Sequence, residues 1–213
     1  MSAITVQMAE LLATVTRSGD FCTSGTVELL PPSLAIAGIG PIALPLLPAQ
    51  AKQIAAVAER APFGRGEDTL IDTDVRRTWQ IGPQQVSIQG RHWPRTLEAI
   101  LARVSQGLGV SDPIEAEFYK LLLYDTGSFF VSHRDTEKAP GMFATLVIVL
   151  PSQCSVGELV VRHLGREARL DMRCEDPAEA SYAAFYADCL HEVLPVTAGS
   201  LLALRYNVLR RGR

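Results

Sequence analysis

Three residues in the second half of the chain have the types and spacing of a metal site. His133 and Asp135 lie two positions apart, and His191 follows in a later segment. Alternate side chains of a β-strand point to the same face, so a histidine from a facing strand can complete a set of two imidazoles and one carboxylate. That set suits Fe(II) and leaves coordination positions open. Dioxygen chemistry needs open positions, so the spacing points to a mononuclear iron site.

The residues around this set favour short β-strands. Runs of β-branched and aromatic residues between turn residues predict strands at 117–124, 128–133, 143–150, 158–163, 183–186, 191–196 and 201–208. Several short strands at close intervals are typical of a sandwich or barrel. We therefore predict an α+β, mainly β fold: a double-stranded β-helix, or cupin-like jelly roll, with N-terminal helices packed on one sheet.

The N-terminal half must supply those helices. Apolar spacing predicts helices around residues 8–15, 48–61 and 97–108, with strands at 25–30, 33–39 and 75–81. No repeat or linker separates the halves. We expect 1–213 to form one domain, in which 1–112 supports a jelly-roll core at 113–213.

Composition excludes several classes of function. With 47% hydrophobic residues, the 213-residue chain can bury a substantial core, and a net charge of -3 provides no basic surface for nucleic acid. We found neither a signal-peptide pattern nor an apolar run of about 18 residues, so no membrane association is expected. The four cysteines include no C-x-x-C pair, which favours a reduced cytoplasm.

The residues around the metal set resemble the prolyl 4-hydroxylase-like branch of the iron(II) and 2-oxoglutarate dioxygenases. The matching elements, in order, are Tyr124-x-x-Gly127-x-x-Phe130-x-x-His133-x-Asp135, then Phe143-Ala-Thr145, Gly157-Glu-Leu, and His191-x-x-x-Pro195-Val-x-x-Gly199. The likeness is specific over about 118–208. It implies that His133, Asp135 and His191 bind Fe(II), that 2-oxoglutarate and O2 are cosubstrates, and that Tyr124 lines the 2-oxoglutarate pocket.

One position departs from the family pattern. The resemblance calls for a Lys or Arg nine or ten residues after the distal histidine, to bind the far carboxylate of 2-oxoglutarate, yet Ser200 and Leu201 stand there. A carboxylate buried without a cation or several donors is costly. Arg205 or Lys120 can supply the charge, or the enzyme does not use 2-oxoglutarate. Val149 also replaces a polar residue that related enzymes often place near the same carboxylate.

Further upstream, 72–79 resembles a stretch found in microbial and fungal members of this superfamily. Within it, Arg76 and Trp79 are the predicted substrate-binding residues, because an arginine can bind an anionic group through two hydrogen bonds. The alternative is an edge strand with solvated charges and a core tryptophan.

Three functions stay open at this point. The first is a dioxygenase that oxidises a small molecule with O2 and 2-oxoglutarate. The second is an iron oxygenase that needs no 2-oxoglutarate and acts on an electron-rich or heterocyclic ring bound to the metal. The third is a non-catalytic jelly-roll binding module.

Overall fold

The computed structural model describes residues 19–65, 68–174 and 176–211. Within these ranges the α-helices are α1 (Pro48–Val57) and α2 (Trp93–Leu108), and Pro83–Gln85 forms a short 3-10 helix. The strands are β1 (Cys22–Glu28), β2 (Ser33–Ile36), β3 (Gly40–Ile42), β4 (Glu59–Arg60), β5 (Phe63–Arg65), β6 (Asp68–Leu70), β7 (Arg76–Arg77), β8 (Trp79–Ile81), β9 (Val86–Gln89), β10 (Ile114–Asp125), β11 (Phe129–His133), β12 (Met142–Leu150), β13 (Cys154–Val156), β14 (Leu159–His163), β15 (Arg166–Leu170), β16 (Glu179–Tyr186), β17 (Leu190–Val193) and β18 (Val196–Arg210). The helix predicted around 8–15 lies outside the described residues.

Two antiparallel sheets dominate the fold. The larger has the strand order β1-β16-β12-β18-β10-β8-β4, with β13 also paired to β18, and the smaller has the order β15-β14-β17-β11-β7. A three-stranded sheet (β3-β2-β9) and a two-stranded one (β5-β6) complete the described part. The prediction of a mainly β protein is therefore confirmed.

Strand alternation gives the larger sheet two buried faces. On β10, Leu121 belongs to a core cluster shared with the helices, whereas Leu122 and Tyr124 belong to a second cluster shared with the smaller sheet. On β18, Leu202 and Leu201 divide in the same way. The second cluster lies between the two sheets, so these inward side chains are the ones available to a site.

Both helices pack against the larger sheet. Helix α2 begins at Trp93 with a proline in its first turn, and it buries Ile100, Val104 and Leu108 on one side. It ends at Gly109, whose φ of 68° is the left-handed conformation that glycine adopts without steric cost. The prediction of helices packed on one sheet is thus confirmed for α1 and α2. Helix α1 ends at Val57, short of the predicted end at 61, because β4 follows and pairs with β8.

The predicted strand at 75–81 is two strands that belong to different sheets. Strand β7 pairs with β11 in the smaller sheet, whereas β8 pairs with β10 in the larger. Thr78 lies between them and is completely buried. The chain therefore crosses between the sheets at Thr78, and this crossing places Arg76 and Trp79 in different surroundings.

Candidate metal centre

Two neighbouring strands of the smaller sheet bring the histidines together. His133 on β11 lies directly opposite His191 on β17, and their ring centroids are 4.1 Å apart. Asp135 follows the end of β11. One ligand atom from each of His133, Asp135 and His191 lies within 4.8 Å of the others. The structure thus assembles the two imidazoles and the carboxylate that the sequence predicted.

Backbone carbonyls hold both imidazoles by the same ring nitrogen. The Nδ1 atom of His133 is 2.9 Å from the carbonyl oxygen of Val131, and Nδ1 of His191 is 3.2 Å from that of Cys189. A carbonyl only accepts, so Nδ1 carries the proton and Nε2 keeps its lone pair for a metal. His191 Nε2 is 3.7 Å from Asp135 Oδ2.

Aromatic rings fix the histidines from the side. The Phe130 ring is stacked on His133 with centroids 3.5 Å apart, and Phe185 packs against His191 at 4.4 Å. Burial lowers the pKa of His133 to about 3, and the neighbouring His191 adds to this effect. Burial also lowers the pKa of His191. Both imidazoles are therefore neutral near pH 7, the form that binds metals.

Asp135 is held in its ionised form by two residues of the larger sheet. Arg205 Nη2 lies 2.6 Å from Oδ1, and the Thr145 hydroxyl donates a 2.6 Å hydrogen bond to Oδ2. Burial on its own would raise the pKa of Asp135, but the charge of Arg205, followed by His191 and the Thr145 hydrogen bond, lowers it below the ordinary value. Two neutral imidazoles and one carboxylate on the wall of a cavity fit Fe(II).

A cavity of about 210 Å³ opens in front of the three ligands, between the two sheets. Its lining divides by chemistry. Polar side chains include Arg76, Tyr119, Lys120, Tyr124, Thr145 and Arg205, whereas an apolar group comprises Leu122, Val147, Val149, Leu159, Met172, Phe185, Val193, Leu201 and Ala203. The cavity therefore offers cations to one part of a ligand and hydrocarbon to another.

The position that lacks the expected cation is apolar in the structure too. Leu201 lies directly opposite Tyr124, is 4% exposed and lines the cavity. Val149 lines it as well and is equally buried. Arg205, the predicted replacement, instead has Asp135 as its ion-pair partner.

Lys120 lies at the same level of the sheet as Arg205. The two residues are opposite each other in the pairing of β10 with β18. The Lys120 amino group donates a 2.7 Å hydrogen bond to Oε1 of Gln80. Burial, with the positive charges of Arg76 and Arg205, lowers the pKa of Lys120 to about 6. Its amino group is thus largely neutral near pH 7 and is buried beside the two arginines.

Arg76 projects into the cavity from β7. Its guanidinium lies 4.3 Å above the Phe130 ring, and Nη1 donates a 2.8 Å hydrogen bond to the carbonyl oxygen of Pro62. Burial lowers the pKa of Arg76, against the opposing electrostatic influence of Tyr124.

Trp79, the other residue predicted to bind substrate, is not among the residues that line the cavity. Its Nε1 donates a 3.0 Å hydrogen bond to Asp125, and the Arg60 guanidinium lies 3.4 Å above its ring. Trp79 follows the Thr78 crossing and lies on β8 in the larger sheet, whereas Arg76 precedes it on β7 in the smaller sheet. The structure therefore brings Arg76, but not Trp79, to the candidate site.

Thr145 and Tyr119 are two of the polar cavity residues to which the sequence analysis assigned no role. Thr145 is a polar residue in an otherwise apolar strand, at the same parity as Val147 and Val149, and this pattern could have marked it as inward-facing. Tyr119 sits where the pairing of β10 with β18 shifts register, between Phe118 and Lys120. A local bulge of this kind leaves no clear signal in the sequence.

Comparison with known proteins gives matches among solved structures. No protein-family model and no curated protein sequence matches the chain. A Pseudomonas putida prolyl-4-hydroxylase is 19% identical, with 97% of this chain and 98% of that chain covered and a TM-score of 0.52. A prolyl hydroxylase from Trichoplax adhaerens, solved with a hypoxia inducible factor peptide fragment, is 13% identical, with 99% and 94% covered and a TM-score of 0.50.

These likenesses extend over nearly the whole chain, so they establish a shared fold. Among the described residues, no helix is both long and apolar enough to span a membrane. The resemblance to prolyl 4-hydroxylase-like proteins, first indicated by the motif around His133, is confirmed at the level of the fold.

Proposed function

We propose that this protein is a mononuclear non-haem Fe(II) dioxygenase that oxidises a small molecule with O2 and couples this to decarboxylation of 2-oxoglutarate. The observation that carries the proposal is the set of His133, Asp135 and His191 on the wall of a cavity, within a fold shared with prolyl hydroxylases. When bound there, Fe(II) would supply dioxygen activation, which side chains alone do not provide.

The fold assignment within this proposal is a double-stranded β-helix that occupies 113–213 and is supported by 1–112, as one domain. It is supported by the two facing sheets, and by β1, β4 and β8, which belong to the same sheet as the C-terminal strands. A cytoplasmic location stays a prediction. It rests on four cysteines that are all free thiols in the described structure.

The chain's own residues have distinct parts in the proposed reaction. The carbonyls of Val131 and Cys189 hold the imidazoles so that Nε2 faces the metal position. Arg205 and Thr145 keep Asp135 ionised and oriented. The apolar lining excludes water from the reacting atoms, which protects reactive species from side reactions.

The cavity favours a small anionic ligand, which 2-oxoglutarate would provide. The guanidinium groups of Arg76 and Arg205 are buried at the cavity, whereas Asp135 is the carboxylate that faces them among the described lining residues. A bound anion would balance this excess of buried positive charge. Neither nucleic acid nor a membrane is needed as a partner.

Spectroscopy of the anaerobic protein tests the proposal. Adding 2-oxoglutarate to the Fe(II)-loaded protein should produce the weak visible charge-transfer band of a chelated oxo acid. His133→Ala should prevent Fe(II) binding and remove the band. Fe(II) binding of unchanged affinity in this variant would refute the metal assignment.

A second candidate keeps the iron site but not 2-oxoglutarate. The apolar side of the cavity formed by Leu122, Val149 and Leu201 favours it. A ring-containing substrate that binds the metal directly would pack against these side chains without needing a cation. This candidate predicts oxygen consumption that depends on the substrate and no band with 2-oxoglutarate. A non-catalytic binding module would show neither oxygen consumption nor a band.

A further inference from the structure

The apolar wall around Leu201 raises a problem for the proposed cosubstrate, and the inference below rests on the proposed function. The far carboxylate of a 2-oxo dicarboxylic acid needs a cation when it is buried. Leu201 provides none, so the charge must come from another strand.

Arg205 and Lys120 are poorly placed to supply it. Both lie four residues along their strands from the Tyr124–Leu201 pair, which is roughly 13 Å in an extended strand. The charge of Arg205 is moreover taken up by Asp135 at 2.6 Å. Arg205 and Lys120 therefore lie along the sheet near Asp135, and not near Leu201.

Arg76 approaches the Leu201 level from the other sheet. Strand β7 pairs with β11 so that Arg76 lies opposite Phe130, and its guanidinium lies over that ring. Arg76, Tyr124 and Leu201 all line the same cavity. Tyr124 is in turn the direct cross-strand neighbour of Leu201. Arg76 and Tyr124 therefore both face the cavity beside the position where the cation is expected.

Arg76 is buried at the cavity and has no acidic partner in the described part of the chain. It is 5% exposed, and no carboxylate forms an ion pair with it among the residues whose side chains the structure describes. Its Nη1 donates a hydrogen bond to the Pro62 carbonyl, and its buried Nε has no partner in the described part of the chain. Burying a guanidinium without an anion is costly, so an anionic ligand would remove that cost.

We propose that Arg76, with the hydroxyl of Tyr124, binds the distal carboxylate of the 2-oxo dicarboxylic acid. The guanidinium can donate two hydrogen bonds to a carboxylate, and Nε is free to be one of the donors. In this chain the anchoring cation comes from β7, ahead of the barrel core, instead of from β18.

Two oxo acids that differ in one carboxylate provide the test. Binding of 2-oxoglutarate and of 2-oxobutanoate, which has the same chelating head but no distal carboxylate, is measured by calorimetry on the anaerobic Mn(II)-loaded protein. Arg76→Met should weaken 2-oxoglutarate at least about 100-fold and change 2-oxobutanoate less than about threefold. Tyr124→Phe should weaken 2-oxoglutarate about tenfold.

The matched control is Arg77→Met. Arg77 is the next residue of β7, is exposed and does not line the cavity, so this variant should bind both acids as the original protein does. Arg76→Lys keeps the charge but loses the planar fork. It should show an intermediate loss for 2-oxoglutarate alone, and it replaces Arg76→Met if that variant fails to fold.

The outcomes separate the two proposals. If the original protein binds Mn(II) but neither oxo acid, the cosubstrate of the proposed function is wrong. If it binds 2-oxoglutarate and the Arg76 variants keep that affinity, or lose both acids equally, the anchoring role of Arg76 is refuted while the proposed function stands.

Discussion

Replacing Arg205 with leucine should destabilise the metal-free protein strongly and the metal-bound protein much less. In the metal-free state Arg205 is the charge partner of Asp135, and their side chains are only 10% and 7% exposed. Removing one partner of a buried ion pair leaves an uncompensated charge, which costs about 3–5 kcal/mol. For a domain of this size the melting temperature should fall by about 6–20 °C.

Metal binding changes this balance because the metal compensates the charge of Asp135. The metal-bound variant then loses only a charge-assisted hydrogen bond, worth about 1.5–3 kcal/mol. By linkage, the variant should bind Mn(II) more tightly than the original protein, by about tenfold for each 1.4 kcal/mol of difference.

Chemical unfolding with and without saturating Mn(II), together with direct titration of Mn(II), measures both effects. Arg169→Leu is a suitable control, because its ion pairs with Glu158 and Glu167 are largely exposed and should matter little in either state. An equal loss of stability with and without Mn(II), or weaker Mn(II) binding by Arg205→Leu, would refute the assigned role.

Three further predictions concern other residues of the site. Lys120→Met should stabilise the ligand-free protein at pH 7, because burying Lys120 forces its amino group to lose a proton on folding. The pKa of Lys120 is about 6 in the folded protein and ordinarily 10.5. Between these two pH values the folded protein therefore binds fewer protons than the unfolded protein. Its stability should therefore rise with pH from 7 to 9, by at most about 1.4 kcal/mol per pH unit, and the variant should show a flatter profile in urea unfolding. Thr145→Val should lower the unfolding free energy by about 1–3 kcal/mol, since Asp135 loses a buried hydrogen bond; an unchanged value from calorimetry would contradict this. Trp79→Phe removes the bond to Asp125 and alters the ring beneath Arg60, and neither contact lies at the cavity. It should therefore leave 2-oxoglutarate affinity unchanged, and a large loss of affinity would show that Trp79 belongs to the site.

Much of the metal centre could be predicted because it depends on local periodicity. His133 is the last residue of β11 and Asp135 follows two residues later, so a short spacing in the sequence keeps the two ligands close together. Leu201 could be recognised as an apolar substitute because its position relative to His191 is a count along the chain. Such features can be predicted without knowing which strands are neighbours in a sheet.

The sequence by itself therefore determined the mainly β pattern, the three candidate ligands and the missing cation at Leu201. Only the tertiary structure decided which cation serves which anion, because partners far apart in sequence depend on strand register and on the sheet that each strand joins. The crossing at Thr78 puts Arg76 inside the cavity and Trp79 outside it. Arg205 is the ion-pair partner of Asp135 because its side chain on β18 points toward the metal ligands.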